Sequence, residues 1–359
     1  MTGRGVDQAF RRSVDPRLQE THVCDARRYL ELAREAHGPV PGPVEPGYPW
    51  GDALEELDRA TPDARIANLE TAVTDRGRPD PSKGIHYRMH PANVGCLEAA
   101  RLHACALANN HVLDWGRRGL EDTLGALRRA GIATAGAGED LDAARTPVEL
   151  EAGGRRLRVF AFASRDAGVP PGWAAGEDRP GVWRLPDLSE ATLERTVRTI
   201  RGRSGGDDLL VASVHWGGNW GWEVNRAQRA FARGLVERAG VDVVHGHSSH
   251  HPKGMEVHGG RLILYGCGDF VNDYEGIRGH EAYRPELAVM YLPRLEPSSG
   301  RLARLELRLF RSRGLRLERA SREDVRWLRR ALEREGPLVG GTLSPTEGGG
   351  LALEPEGVR

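Results

Sequence analysis

The sequence predicts an α/β protein with a largely parallel sheet and a second, antiparallel sheet packed on it. Between residues 64 and 244 short apolar runs alternate with amphipathic helical stretches, the order expected of βα units. After Val244 hairpin patterns replace the helices. Glu, Asn and His side chains also collect where the predicted strands end, the place where open α/β sheets bind ligands.

The elements follow in order. Residues 38–50 are rich in proline, which lacks an amide donor and fixes its own backbone, so this stretch reads as an ordered loop or surface linker. A helix is predicted over 51–60, a strand over 64–70, a helix over 91–102, a strand over 104–109, a helix over 117–130 and a strand over 132–135. Further strands fall at 155–163, 208–214 and 241–244, with helices at 189–201 and 226–239 between them. Residues 255–258 and 261–265, joined by Gly259-Gly260, read as a hairpin. Strands at 286–292 and 302–309 then follow without helices, which is the basis for the second sheet. Ser321, with Asp324 three residues on, caps a helix over 321–335. No internal repeat is found. The expected organisation is one domain over 1–335 and a disordered Gly-, Pro- and Glu-rich tail over 336–359.

The 359 residues are 39% hydrophobic and 28% charged, the balance of a soluble globular chain. Net charge is zero, with 51 basic and 51 acidic residues and no basic patch, so neither nucleic acid nor an anionic membrane is expected as the main partner. Only Lys83 and Lys253 are lysines, a bias typical of GC-rich coding. Cys24, Cys96, Cys105 and Cys267 are scattered and form no disulfide framework. No run approaches the ~18 apolar residues of a spanning helix, and no signal-peptide core is present, so the chain as given reads as cytoplasmic.

The chemistry concentrates at four strand ends. Asn68 and Glu70 stand two apart and point the same way. Asn109-Asn110-His111 follows the next strand, with Asp114 three residues on. His215 ends another strand, and five of the 13 histidines fall between Val241 and His258, including His245, His247, His250 and His251. Neutral imidazole is the commonest protein metal ligand, so a metal centre is the first inference. A histidine-rich loop could also be merely polar and exposed, and buried amides such as Asn68 and Asn109 could simply satisfy backbone groups. For Trp216, Trp220 and Trp222 packing is the default, with a rim around the site as the alternative.

The run Asn68-Leu69-Glu70, the block from Asn109 to Gly116 with Gly119-Leu120 and Thr123, the triplet His215-Trp216-Gly217, the run Gly246-His247-Ser248-Ser249-His250 and the run from Tyr265 to Phe270 resemble, in order, the CapA family of capsule and poly-gamma-glutamate synthesis proteins. That family is similar to the calcineurin-like metallophosphatases. The resemblance implies a four-layer, two-sheet sandwich flanked by helices with a two-metal site. It would make Glu70 the bridging carboxylate, Asn110 the amide ligand and His215, His247 and His250 the imidazole ligands. His111 would stabilise or protonate a leaving oxygen, oriented by Asp114. Asn68, Asn109, His245, His251 and Asp269 would be supporting groups or alternative ligands, the choice between His250 and His251 staying open. Mixed oxygen and nitrogen donors without thiolate favour Mn, Fe or Zn for the two ions.

Members of the family begin with a strand ending in Gly-Asp just before a segment like the one from Met1 to Asp7. That strand and its aspartate are not in this sequence, so the expectation is a sandwich without its first strand. A start assigned too late explains this better than an impaired, truncated version, and an upstream export signal would make the protein extracytoplasmic. The expected function is metal-dependent hydrolysis of a phosphoester-type bond in capsule or envelope polymer synthesis, on a small molecule or polymer precursor and with other synthesis proteins as possible partners. The alternative is a non-catalytic assembly component that keeps the metal fold. A nuclease is disfavoured by the neutral charge.

Overall fold

The computed structural model describes residues 1–336 and 338–356. Strands β1 (Ile66–Asn68), β2 (Ala104–Ala106) and β3 (Ala133–Ala135) form a small parallel sheet in that order. Their short buried side chains, among them Ala104, Cys105 and Ala106, let the sheet pack closely against its neighbours.

A larger sheet of eight strands follows. Strand β4 (Val148–Ala152) runs antiparallel to β5 (Arg155–Ser164), and the parallel core continues through β6 (Leu209–His215) and β7 (Val243–His247). The predicted hairpin is present as β8 (Met255–His258) and β9 (Arg261–Leu264), with β9 adding in parallel to β7. Strand β6 is buried throughout, as its unbroken apolar run requires of a central parallel strand. Helices Glu190–Arg201, capped by Ser189, and Arg226–Gly234, with a capping box from Asn225 and Gln228, make the crossovers.

The third sheet has five strands: β10 (Leu287–Leu295), β11 (Leu302–Ser312), β12 (Gly341–Pro345), β13 (Leu351–Pro355) and the short Leu317–Arg319. All its pairings are antiparallel, as the late helix-free patterning predicts. The tail expectation is corrected. Past Gly336 the chain forms strand Leu338–Val339 and the β12–β13 hairpin, and β13 pairs Leu353 with Leu305 and Leu351 with Leu307. Burying Leu343, Leu351 and Leu353 stabilises this hairpin, while the glycines that suggested disorder make its turns, with Gly349 at φ +80°. Residues 357–359 lie outside the described residues.

Two further expectations shift. Proline-rich 38–50 contains a 3-10 turn, Tyr48–Trp50, and Trp50 is buried with Nε1 donating to the Cys96 carbonyl at 2.7 Å. The histidine run is partly strand, because β7 extends through His247. No helix among the described residues is long and apolar enough to cross a membrane.

Candidate metal centre

Strands β6 and β7 pair in parallel with Ser213 opposite His245 and His215 opposite His247. Side chains two apart share a face, so these two rungs set four polar groups on the same side of the sheet, facing the core between the sheets. The intervening Ala212, Val214 and Val244 pack into the other hydrophobic cluster. His215 Nδ1 and His247 Nδ1 stand 2.8 Å apart, and Ser213 Oγ lies 2.8 Å from His247 Nε2 and 3.0 Å from His245 Nδ1. Burial holds His215 and His247 well below the ordinary imidazole pKa and pushes His245 down to about 4, so these rings are neutral.

The hydrogen bonds along this row can run in either of two directions. In one, His245 Nδ1–H donates to Ser213, Ser213 to His247 Nε2, and His247 Nδ1–H to His215. In the other, His247 Nε2–H donates to Ser213 and Ser213 to His245, which leaves the Nδ1 lone pair of His247 bare and facing Nδ1 of His215. His215 Nδ1–H can then donate to it; with His215 instead protonated on Nε2 toward Asn110 Oδ1, both Nδ1 lone pairs are free, the form a transition metal binds.

Glu70 approaches His215 from the β1 end, 4.0 Å from Nδ1, and Asn110 approaches the other ring nitrogen from the β2 end, with Oδ1 3.2 Å from Nε2. A relay of amides orients the carboxylate. Asn109 Nδ2 donates to Asn68 Oδ1 at 3.0 Å and to the Leu69 carbonyl at 2.9 Å, and Asn68 Nδ2 donates to Glu70 Oε2 at 2.9 Å. Asn109 Oδ1 accepts from the amides of His111 and Val112 at 3.1 and 3.0 Å, so it also folds the turn that presents Asn110. Burial raises the Glu70 pKa, with the nearby His250 opposing it.

His250 and His251 separate cleanly. His250 Nδ1 lies 3.1 Å from both Asp269 oxygens and its Nε2 3.3 Å from Tyr274 Oη. Burial opposes a charged ring there, but Asp269 outweighs it and raises the His250 pKa. His251 turns away into an aromatic cluster, 4.5 Å from Trp222 and 4.6 Å from Tyr283 between ring centres, and its Nδ1 meets the Pro252 carbonyl at 3.0 Å. Trp216 is core, stacked on Tyr265 with Nε1 donating to that residue's carbonyl at 2.9 Å. Trp220 is half-buried, stacked on His280 at 3.9 Å and parallel to His251 at 6.1 Å between ring centres.

His111 Nδ1 is 2.6 Å from Asp114 Oδ2, which also accepts the Tyr87 amide at 2.7 Å. The Tyr87 ring meets His111 edge-on at 4.6 Å. Burial pushes Asp114 up to about 7, while burial and then the Lys83 charge hold His111 well below its ordinary pKa. His111 is therefore neutral, with Nδ1 committed to Asp114 and Nε2 left for another partner.

Sequence reasoning missed Ser213, Lys83, Tyr87 and Tyr274. A signal existed for one of them: Lys83 is a lysine in a chain that otherwise uses arginine. The donors stand as pairs, and among the described residues no three or more His, Cys, Asp or Glu side chains are gathered at coordination spacing. Asn110 adds an amide oxygen beside His215. A buried carboxylate, an amide oxygen and two facing neutral imidazoles are chemically fit for a divalent transition metal ion, whose charge would relieve the desolvated Glu70.

The fold and the site together define a mixed α/β protein with an imidazole-rich polar centre built where strands of two sheets end. The chain belongs to the family described as bacterial capsule synthesis protein PGA_cap, whose profile matches residues 1–274 and so spans every residue of this centre. It is 46% identical over 337 residues to the probable polyglutamine synthesis accessory protein of Mycobacterium tuberculosis, covering 93% of this chain and 88% of that one. The PGA biosynthesis protein CapA of Bacillus subtilis is 30% identical over 61% of this chain and 56% of its own length. The capsule biosynthesis protein CapA of Bacillus anthracis is 31% identical over 53% of this chain and 45% of its own. A hypothetical protein from Thermus thermophilus overlays at a TM-score of 0.38 with 16% identity, over 85% of this chain and 94% of that one, too loosely to bear on the fold.

Proposed function

We propose that this protein is a metal-dependent hydrolase of phosphoester-type bonds, working in the synthesis of a capsule or poly-glutamate polymer on a small-molecule or polymer-precursor substrate. The carrying observation is the His215–His247 pair, with Glu70 4.0 Å from Nδ1 of His215, Asn110 Oδ1 3.2 Å from its Nε2, and the His111–Asp114 pair beginning at the residue after Asn110. The reading treats the larger sheet and the antiparallel sheet as the two sheets of a metallophosphatase-like sandwich.

Glu70 would hold two ions in common: it stands 4.0 Å from His215 Nδ1, and the charges of His250 and Asp269 act on its carboxyl. Asn110, His215 and His247 would complete the first position, and His250 with Asp269 the second. Mn, Fe or Zn in these positions would polarise a phosphoryl oxygen and lower the pKa of a water. His111, held by Asp114 through Nδ1, keeps Nε2 for the leaving oxygen. It is neutral until an anionic phosphoryl group arrives to favour its protonation. Asn109 and Asn68 fix the Glu70 carboxylate, and Tyr87 fixes the His111 ring.

One observation favours a second reading, a non-catalytic assembly component. His215 with His247, and His250 with Asp269, satisfy each other as hydrogen-bonded pairs and can serve the fold in that form. The test is metal analysis of the purified protein, with phosphoester hydrolysis measured across Mn, Fe and Zn, in wild type and in His111→Ala. A hydrolase loses about 10²–10⁴ in rate on losing its general acid while keeping its metal. Absence of both metal and hydrolysis in wild type overturns the proposal.

A further inference from the structure

Lys83 sits on a segment that packs against the turn following β2. The segment is clamped at several points. Asp80 donates its amide to the Asp114 carbonyl at 2.8 Å, its Oδ2 accepts Trp173 Nε1 at 2.8 Å, and its carbonyl meets His86 Nε2 at 2.8 Å. The Lys83 amide then donates to the Asp80 carbonyl at 3.2 Å, closing a short turn that aims the side chain inward. The ammonium lies 4.9 Å over the Trp173 ring, donates to the Asn110 carbonyl and to Asp114 Oδ1, and stands 3.3 Å from His111 Nδ1.

The division of the Asp114 carboxylate follows from these contacts. Oδ1 is taken by Lys83, and Oδ2 by His111 Nδ1 and the Tyr87 amide. With Lys83 in place the carboxylate cannot rotate without losing a charged partner, so Oδ2 stays on the imidazole. The same ammonium holds the carbonyl of Asn110, the residue whose side chain reaches His215. Arginine would not substitute well. Its planar fork holds its donors in fixed directions, whereas a compact ammonium can turn its three donors to a carbonyl and a carboxylate oxygen at once. With two lysines among 51 basic residues, 49 of them arginine, this position departs from the usage of the whole chain.

We propose that Lys83 is the positioning residue of the His111–Asp114 pair: it pins Asp114 Oδ1 and the Asn110 carbonyl, which fixes Nδ1–H of His111 on Oδ2 and leaves Nε2 facing the centre. The catalytic part of this inference rests on the hydrolase reading, and the positioning part does not. The experiment therefore has two arms on the full chain.

In the first arm, ¹⁵N spectra of histidine-labelled protein report the imidazole tautomer without turnover, with the His111 signals assigned by their loss in His111→Gln. Wild type should show a protonated Nδ1 and a bare Nε2. Lys83→Met and Lys83→Gln should show both nitrogens averaged between tautomers, and Lys83→Arg should recover the wild-type pattern only in part. A variant spectrum identical to wild type for both Met and Gln, with circular dichroism showing folded protein, overturns the inference. In the second arm, hydrolysis by Lys83→Met should fall about tenfold to a hundredfold in kcat with KM changed less than about twofold, a fraction of what general acid–base catalysis supplies. Adding Lys83→Met to Asp114→Asn should cost nothing further, because both act through one imidazole. Additive losses overturn the inference. Wild type without hydrolysis sinks the hydrolase reading and leaves the spectra to decide on Lys83.

Discussion

Replacing Ser213 by Ala tests the centre without touching any proposed ligand. The hydroxyl lies 2.8 Å from His247 Nε2 and 3.0 Å from His245 Nδ1, and it is fully buried. For His247 to offer its Nδ1 lone pair, Nε2 must carry the proton, and Ser213 is the acceptor that fixes that tautomer. Alanine removes the acceptor and leaves a buried N–H unpaired, so the ring loses both its orientation and its preference. Outer-shell partners of this kind typically contribute 10–100-fold to metal affinity. That range corresponds to about 1.4–2.7 kcal/mol. The loss of one acceptor together with ring freedom places Ser213→Ala in the upper half of the range. Titration of Zn or Mn against a chromophoric chelator at neutral pH measures it, with His245→Ala as a companion that removes only the end of the row and should cost less. An affinity within twofold of wild type would refute the assignment of Nδ1 as the binding atom of His247.

Other outcomes follow from the same geometry. If Glu70 is shared by two ions as proposed, Glu70→Gln should lower metal content after dialysis at both positions together rather than at one. Gly246→Ala places a Cβ 2.5 Å from the Leu264 carbonyl oxygen and 2.6 Å from that of Tyr265, so β7 must move away from β9. Overpacking of this kind costs about 1–3 kcal/mol, and a melting scan should show it together with weakened metal binding. Asp273→Asn breaks the buried pair with Arg4, whose guanidinium is held at 2.6 and 3.1 Å. A loss of about 3 kcal/mol, spread over the melting entropy of ~2.1 cal/mol/K per residue for 359 residues, lowers the midpoint by about 4 °C. An unchanged midpoint would show that Arg4 finds another anion.

Much of this was legible in the sequence. Glu70, Asn110, His215 and His247 could be read because each closes an apolar run, and an apolar run that ends in a polar group announces both a strand and its exit. The pairing of His250 with Asp269 instead of the His215–His247 group could not be read, since it depends on a loop bending back over 19 residues. Ser213 was hidden because a serine inside an apolar strand has no local mark. Its meaning lies in the register with β7. Lys83 carried a compositional mark but no positional one, because its partners are 27 to 31 residues away. The C-terminal hairpin was misread because composition was weighed without period. Leu351 and Leu353 alternate as a strand requires, and the glycines around them are turn residues.

The two rungs of β6 and β7 also make the centre a gauge of folding. A slip of β7 by a single residue would present Val244 and Gly246 where His245 and His247 now stand, and the imidazoles would be carried to the opposite face. A one-residue slip leaves no donor pair at all, so, if the centre binds metal as proposed, affinity for the ion would report the alignment of two central strands in variants whose substitutions lie far from the site.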